Sequence, residues 1–398
     1  MQLFQKGELK QLLPFYISEF LAGFGTLAAT YMFLFFYRDL GLSFVEISLT
    51  SISFFVGNLI FEIPSGAFAD AFGRKRSVLI GLGLPAMCIP LMAFIHSVPG
   101  LVILFFLFGM GVSFQSGAWP AWAVDNLRHH KKENLIQTFF GKSLSFHSLG
   151  MIFGPLAAAV LVNYVALRWL FLIDGAFFFL ALIPLWLTHE HWHKPVLPPL
   201  PKLIKKTIKL SLKAGSFVFS HHNLRMLLIG NAVGFMTFSA EIGWQPLFAL
   251  ALLPLAGIGI VNSIQSIIRT IVAPFSTLLT KRMSHVHALV LIALFHLLIV
   301  LLLFFVEPGK WLWVIIVYLG IAFLVLNGPV LADLQQRYTP SKVRATVLSF
   351  FTLSCSIVGV VGFLIGGFVL DAVGPKYAII LMAFFTVPEM LVYLSMKD

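Results

Sequence analysis

Stretches of roughly 20 apolar residues recur along the whole chain, and that is the length a helix needs to cross the hydrocarbon of a bilayer. No water is present there to satisfy a backbone group that lacks an internal hydrogen bond, so each stretch is expected to be helical. The reading gives twelve spans, at about 12–37, 44–67, 77–97, 99–123, 136–162, 167–187, 224–250, 257–280, 288–306, 311–333, 345–370 and 375–395. The expected class is therefore an all-α integral membrane protein.

Composition agrees with that solvent. Only 11% of the residues are charged and 59% are hydrophobic, with a mean hydropathy of +0.95, whereas a soluble domain has about 25% charged residues. The two cysteines, Cys88 and Cys355, lie in apolar segments, too few for a disulfide framework. The segment MQLFQKGELKQLLPFY has no short apolar core followed by a small-residue cleavage site, so the first hydrophobic segment is expected to remain as a spanning helix. A net charge of +11 raises the question of nucleic acid. The basic residues fall in short clusters between apolar runs, with no continuous basic face, and no nucleic-acid partner is expected.

Their distribution sets an orientation instead. With the N-terminus in the cytoplasm, only Arg38, Arg168, Lys310 and Lys376 of the 27 Lys and Arg fall outside, and Arg269 falls within a span. That is the asymmetry the positive-inside rule requires, and it places both termini in the cytoplasm. The longest polar interruption, 188–223, divides six spans at 1–187 from six at 224–398. Within it Lys202, Lys205, Lys206, Lys209 and Lys213 share one helical face, and Ile204, Ile208 and Leu212 another. This suits either a helix lying on an anionic leaflet or a solvated linker with a charge cluster. The halves also repeat weakly: a shift of about 210 lays Pro64 on Pro274, and one of 208 lays Asp125 on Asp333 and Gly154 on Gly362. Internal repeats of this kind mark transporters with a central site between two bundles.

Between the second and third spans stands Gly66-Ala-Phe-Ala-Asp70-Ala-Phe-Gly73-Arg74-Lys75-Arg76. It closely resembles the cytoplasmic loop signature of the major facilitator superfamily, and the resemblance extends over essentially the whole chain. In physical terms Gly66 would permit close helix approach, Gly73 a tight turn, and the carboxylate and guanidinium a charge-assisted bond. The resemblance implies two pseudo-symmetric six-helix bundles, transport of a small molecule, and a lock formed by Asp70, Arg74, Asp125 and the start of the eleventh span near Arg344. In the second half Thr280 and Ser284 stand where the aspartate and arginine would be. Gly150-Met-Ile-Phe-Gly154-Pro155 resembles the core of the antiporter motif of exporters, although Ala158 and Ala159 replace that motif's next glycines. The Phe108–Gly111 stretch of the fourth span has no basic residue, so no familiar proton relay carries over.

An ionisable group at membrane depth is costly and is a functional candidate by default. Glu19, Glu62, Asp174, Glu241, Arg269 and Glu389 qualify. The depths of Glu241 and Arg269 differ by only about 5 Å, which allows them to pair, either structurally or in coupling. Glu62 follows Asn58 by one turn and is the first choice for a proton carrier, with a gate contact as the alternative. Asp174 sits near the outer interface, and Glu389 and Asp371 are read as span ends. His147 and His296 are read as packing residues, and His129, His130, His189, His191 and His193 as loop clusters; no metal is expected. Trp119, Trp122 and Trp244, beside Gln115 and Gln245, are candidates for lining a binding cavity. The function expected is proton-coupled efflux of lipophilic compounds by a monomer without a resident cofactor, a proton or another ion serving for coupling. An importer of a polar nutrient or organic anion is the alternative, and a membrane enzyme or assembly protein is disfavoured for want of a nucleophile, metal or phosphate motif.

Overall fold

The computed structural model describes residues 4–191, 200–307, 309–341 and 343–396, the side chains at 200–208 and Ala345 excepted. The regular secondary structure among the described residues consists of helices, with no strand. They are α1 (Glu8–Phe24), α2 (Met32–Leu34), α3 (Phe44–Phe72), α4 (Arg74–Met92), α5 (Val98–Ser116), α6 (Ala118–His129), α7 (Ile136–Leu161), α8 (Leu167–Leu187) and α9 (Leu200–Ser220). There follow α10 (His222–Phe235), α11 (Glu241–Leu250), α12 (Leu255–Val272), α13 (Ser276–Arg282), α14 (His285–Leu301), α15 (Trp311–Gly320), α16 (Asn327–Tyr338), α17 (Arg344–Ala383) and α18 (Thr386–Leu394).

Ten stretches of the described residues are long and apolar enough to cross a membrane. One of them, Thr346–Leu394, is too long for a single pass. It turns at Gly374, whose φ of 76° breaks the helix before Pro375, so it supplies two of the twelve expected spans. The expected first span is also a broken one: α1 stops at Phe24, residues 25–31 form turns, and α2 runs into a π-helical turn at Phe35–Asp39.

The chain divides into two compact units, Met1–Met32 with Ser53–Ile204, and Phe33–Ile52 with Lys205–Asp398. In the first unit Phe15, Trp119, Trp122 and Phe139 pack edge to face, with centroids 5.1–6.1 Å apart, inside a core completed by Leu12, Val78, Leu82, Leu127 and Leu185. The second core gathers Leu224, Leu227, Leu289, Val330, Val347, Phe351 and Tyr393. Ala214 and Val218, on the last turns of the basic linker helix α9, are buried in it. The upstream face with Lys202, Ile204, Lys205, Lys206 and Ile208 lies outside the described side chains.

Met87, Ile103, Phe179, Trp186 and Ile271 are more than half exposed. In water such side chains would be a liability; on a membrane protein they are the surface that lipid wets. Polar groups are pulled inward. Glu8, fully buried ahead of the first span, accepts hydrogen bonds from Lys142 Nζ at 2.6 Å, the Gln5 backbone N–H at 2.8 Å and Tyr16 Oη at 3.1 Å.

Candidate functional site

The loop motif builds a capped helix junction. Gly73 joins α3 to α4 with φ 101°, a conformation that any Cβ would strain. Arg74 ion-pairs with Asp125 on α6, and its Nη1 also donates to the Ala121 carbonyl at 2.7 Å. Glu190 completes the junction, a residue that motif reading does not single out: its Oε1 accepts the Lys75 N–H at 2.9 Å, at the unpaired start of α4. In return Lys75 Nζ donates to the Trp186 and Thr188 carbonyls, at 2.6 and 2.7 Å, at the end of α8. Asn126 binds the His189 carbonyl at 3.3 Å, and the His191 ring stacks on His129 with centroids 3.6 Å apart. His193 lies outside the described residues. Asp70 is exposed and has no partner among the described residues.

Gly66 does not serve the close approach expected of it. A Cβ placed there would meet nothing within 4 Å, because the residue lies on the exposed face of α3 with Glu62 and Asp70. Close approach occurs instead where α7 crosses α1. A Cβ on Gly154 would meet the Phe24 carbonyl at 2.5 Å, and one on Gly150 the Phe24 nitrogen at 2.5 Å, with Pro155 buried beyond. In the second unit the degenerate motif retains an ionisable junction: His285 Nε2 lies 2.6 Å from Asp333, which also binds Arg337 at 3.0 Å.

One cavity of about 410 Å³ opens in the first unit, between α1, α5, α6 and α7. Glu19, Gln115, Trp119, Phe140, Ser143 and His147 line it. Helical spacing places Ser143 and His147 one turn apart on α7, facing Glu19 of α1. Ser143 Oγ donates to Glu19 Oε1 at 2.9 Å, and His147 Nδ1 lies 3.3 Å from Oε2. Periodicity shows each of the two ionisable residues separately; the helix crossing brings them together. A carboxylate and an imidazole at this distance can share, hold or surrender a proton.

A smaller cavity of about 90 Å³ lies in the second unit, lined by Glu241, Trp244, Gln265, Arg269, His296 and Tyr318 among others. Glu241 and Arg269 share it but form no ion pair within 4 Å, both being exposed to it. Gln265 Nε2 donates to the Tyr318 carbonyl at 2.9 Å, and Tyr318 Oη to Asn262 Oδ1 at 2.8 Å, which fixes that wall.

The other candidates lie apart from both cavities. Trp122 is core, 1% exposed. Gln245 accepts the Phe33 and Leu34 N–H groups at 2.8 and 3.1 Å. Asp174 is buried and binds the Leu27 and Ala28 N–H groups at 2.8 and 2.9 Å, filling the break in the first span. Asn58 offers its backbone carbonyl to Ser113 Oγ at 2.6 Å, and Glu62 has no side-chain partner among the described residues. Glu389, in the first turn of α18, is buried, 5% exposed, in a recess left by Gly234. Among the described residues no group of three or more His, Cys, Asp or Glu is placed to hold a metal.

Helices of membrane length, exposed apolar flanks and ionisable cavities within helix clusters define a multi-pass membrane transporter. The Major Facilitator Superfamily model matches residues 15–363, and the chain belongs to that family. An uncharacterized transporter of Buchnera aphidicola is 29% identical over 120 residues, a match spanning 30% of this chain and 29% of that protein. The fold is similar to that of a mutant of the nucleoside transporter NupG, at 14% identity and a TM-score of 0.79 over 97% of this chain and 99% of the other. It is similar too to a POT family transporter solved with 5-aminolevulinic acid (14%, TM-score 0.77, 97% and 95% covered) and to the E. coli xylose transporter XylE (15%, 0.68, 97% and 95%). Membership of that family makes the chain a membrane transporter.

Proposed function

We propose that this transporter is a proton-coupled exporter of small lipophilic compounds, resident in a bacterial inner membrane with both termini cytoplasmic. The observation that carries the reading is the Glu19–His147 pair beside Ser143, in a 410 Å³ cavity walled by Trp119, Phe139 and Phe140. The volume falls in the range of small-molecule sites, and the walls suit an apolar body. Export is supported by the tight α1–α7 packing at Gly150 and Gly154, the residues that resemble the antiporter motif. Locking of the cycle is assigned to Arg74 and Asp125, which pair beside the turn at Gly73, and Asp70 joins them only through the motif, since it has no partner among the described residues. An importer or facilitator of an organic anion or polar nutrient is the second reading, favoured by Arg269 in the smaller cavity. The solved relatives carry a nucleoside, 5-aminolevulinic acid or xylose in their names, chemistries too different to transfer.

Efflux from energised vesicles tests the first reading. It is expected to stop when a protonophore collapses the gradient and in Glu19→Gln, while Glu62→Gln, which alters a carboxylate with no described partner, keeps most of it. Undiminished efflux under both of the first two conditions would remove the mechanism; uphill inward accumulation would select the second reading.

A further inference from the structure

We propose that residues 33–52 form a latch, fastened by Gln245 of α11 and Asp371 of α17, and that Asp371 is the positioning residue whose departure lets the start of α3 swing free during transport. The inference goes beyond the exporter reading and holds whichever way the substrate moves. Its starting point is that α3 belongs to both compact units: residues 44–52 group with the second, and the rest of the helix with the first. At 1.5 Å per residue the 29 residues of α3 extend about 43 Å, more than the hydrocarbon thickness of about 30 Å. Gly73, with the Arg74–Asp125 pair, stands at one end. Phe44 therefore stands at the opposite face of the membrane.

The hydrogen bonds at that end show how it is held. Ser43 and Glu46 make a local capping box: Glu46 Oε2 accepts the Ser43 N–H at 2.9 Å, and Ser43 Oγ accepts the Glu46 N–H at 3.2 Å. The Phe44 and Val45 N–H groups are left over, and Asp371 accepts them at 2.8 and 3.0 Å, from more than 300 positions away in the chain. A carboxylate is favoured there by the helix dipole, as Glu190 is at the start of α4. One turn from Asp371, Gly367 lets α17 lie against α3: a Cβ on it would meet Ser48 Cβ at 2.9 Å and the Phe44 carbonyl at 3.1 Å. At the other end of the segment Gln245 accepts the Phe33 and Leu34 N–H groups. Two features suit a contact that opens. The donors held by Asp371 lie in a first helical turn, where water can replace the carboxylate. Ser48 Oγ is buried with no hydrogen-bond partner among the described residues, so it gains one when water enters.

Loss of the carboxylate should therefore shift the balance between two conformations and leave the fold intact. The test is labelling of the full-length protein by a membrane-impermeant maleimide, in right-side-out and inside-out vesicles, with Cys88 and Cys355 replaced by serine. Two reporters are compared, Ser48→Cys, fully buried under the latch, and Gly66→Cys, exposed on α3 toward its Gly73 end. Asp371→Ala is expected to raise the labelling rate of Ser48→Cys from its own face at least about tenfold, the order that follows from losing charge-assisted hydrogen bonds. Labelling of Gly66→Cys from the other face should fall in the same variant. Asp371→Asn, which keeps one acceptor, should lie between the parent and Asp371→Ala at both reporters. A carboxylate that only stabilises the fold would, when removed, raise both rates together. That parallel rise, or unchanged rates at both reporters, would overturn the proposal. Should Asp371→Ala fail to give folded protein on size-exclusion chromatography, Asp371→Asn decides by the same criterion: opposite changes at the two reporters support the latch, and parallel or absent changes refute it.

Discussion

At the scale of single residues, three glycines and one glutamate separate what packing demands from what a motif suggests. Gly73 sits at φ 101° with Glu190 Oε2 2.7 Å from where a Cβ would stand, so Gly73→Ala should cost about 1–2 kcal/mol. Gly66 faces open space, and Gly66→Ala should change stability by less than about 0.5 kcal/mol. Thermal unfolding of the two variants in one detergent checks the contrast. Gly150→Leu, forced onto the α1 backbone, should lose about 1–3 kcal/mol in the same assay. Glu8 adds a pH signature. Burial alone would raise its carboxyl pKa, but Lys142, the Gln5 N–H and Tyr16 together hold it below the ordinary value. A depressed carboxylate stabilises the fold above its unfolded pKa of about 4.3 and loses that contribution as the pH falls through the folded value. Glu8→Gln should thus cost about 2 kcal/mol at pH 7 and converge on the parent in acid. Arg74 and Asp125 are legible in the sequence because the motif has fixed spacing. Glu190 is not, because it reaches the same junction from 115 residues away in the chain.

At the scale of elements, hydropathy locates the helices well but is blind to how they are interrupted. The first apolar segment reads as one span over 12–37, and the structure breaks it at 25–31. The break survives because Asp174, from α8, supplies acceptors for the freed Leu27 and Ala28 N–H groups. Such breaks in other transporters aim backbone N–H groups at anionic substrates; here the chain's own carboxylate fills the position. Asp174→Ala leaves two buried donors unpaired and should cost about 2–4 kcal/mol, whereas Asp174→Asn, which retains one acceptor, should cost less; denaturant unfolding of both variants checks the order. The cavity pair illustrates the same limit. Glu19 and His147 each stand out as polar residues on apolar helices, yet a 3.6-residue period gives the face of one helix and never its neighbour. Glu241 and Arg269, matched by depth alone, share a cavity without touching.

At the scale of the whole molecule, family and fold class follow from apolar lengths, the loop motif and the six-plus-six spacing, and the family match over 15–363 agrees. Substrate is a different matter, since one scaffold serves nucleoside and sugar transporters at 14–15% identity to this chain. What this chain contributes is a first-unit cavity in which, among the described residues, Glu19 faces Ser143 and His147. The claim on which the account depends is that this cavity is the compartment loaded on one side of the membrane and emptied on the other. Labelling of Ser143→Cys with a membrane-impermeant maleimide, with Cys88 and Cys355 replaced by serine, in right-side-out and inside-out vesicles measures that directly. The account predicts reaction from both faces, substrate shifting the balance between them. Reaction from one face only, whatever substrate or gradient is applied, would contradict it.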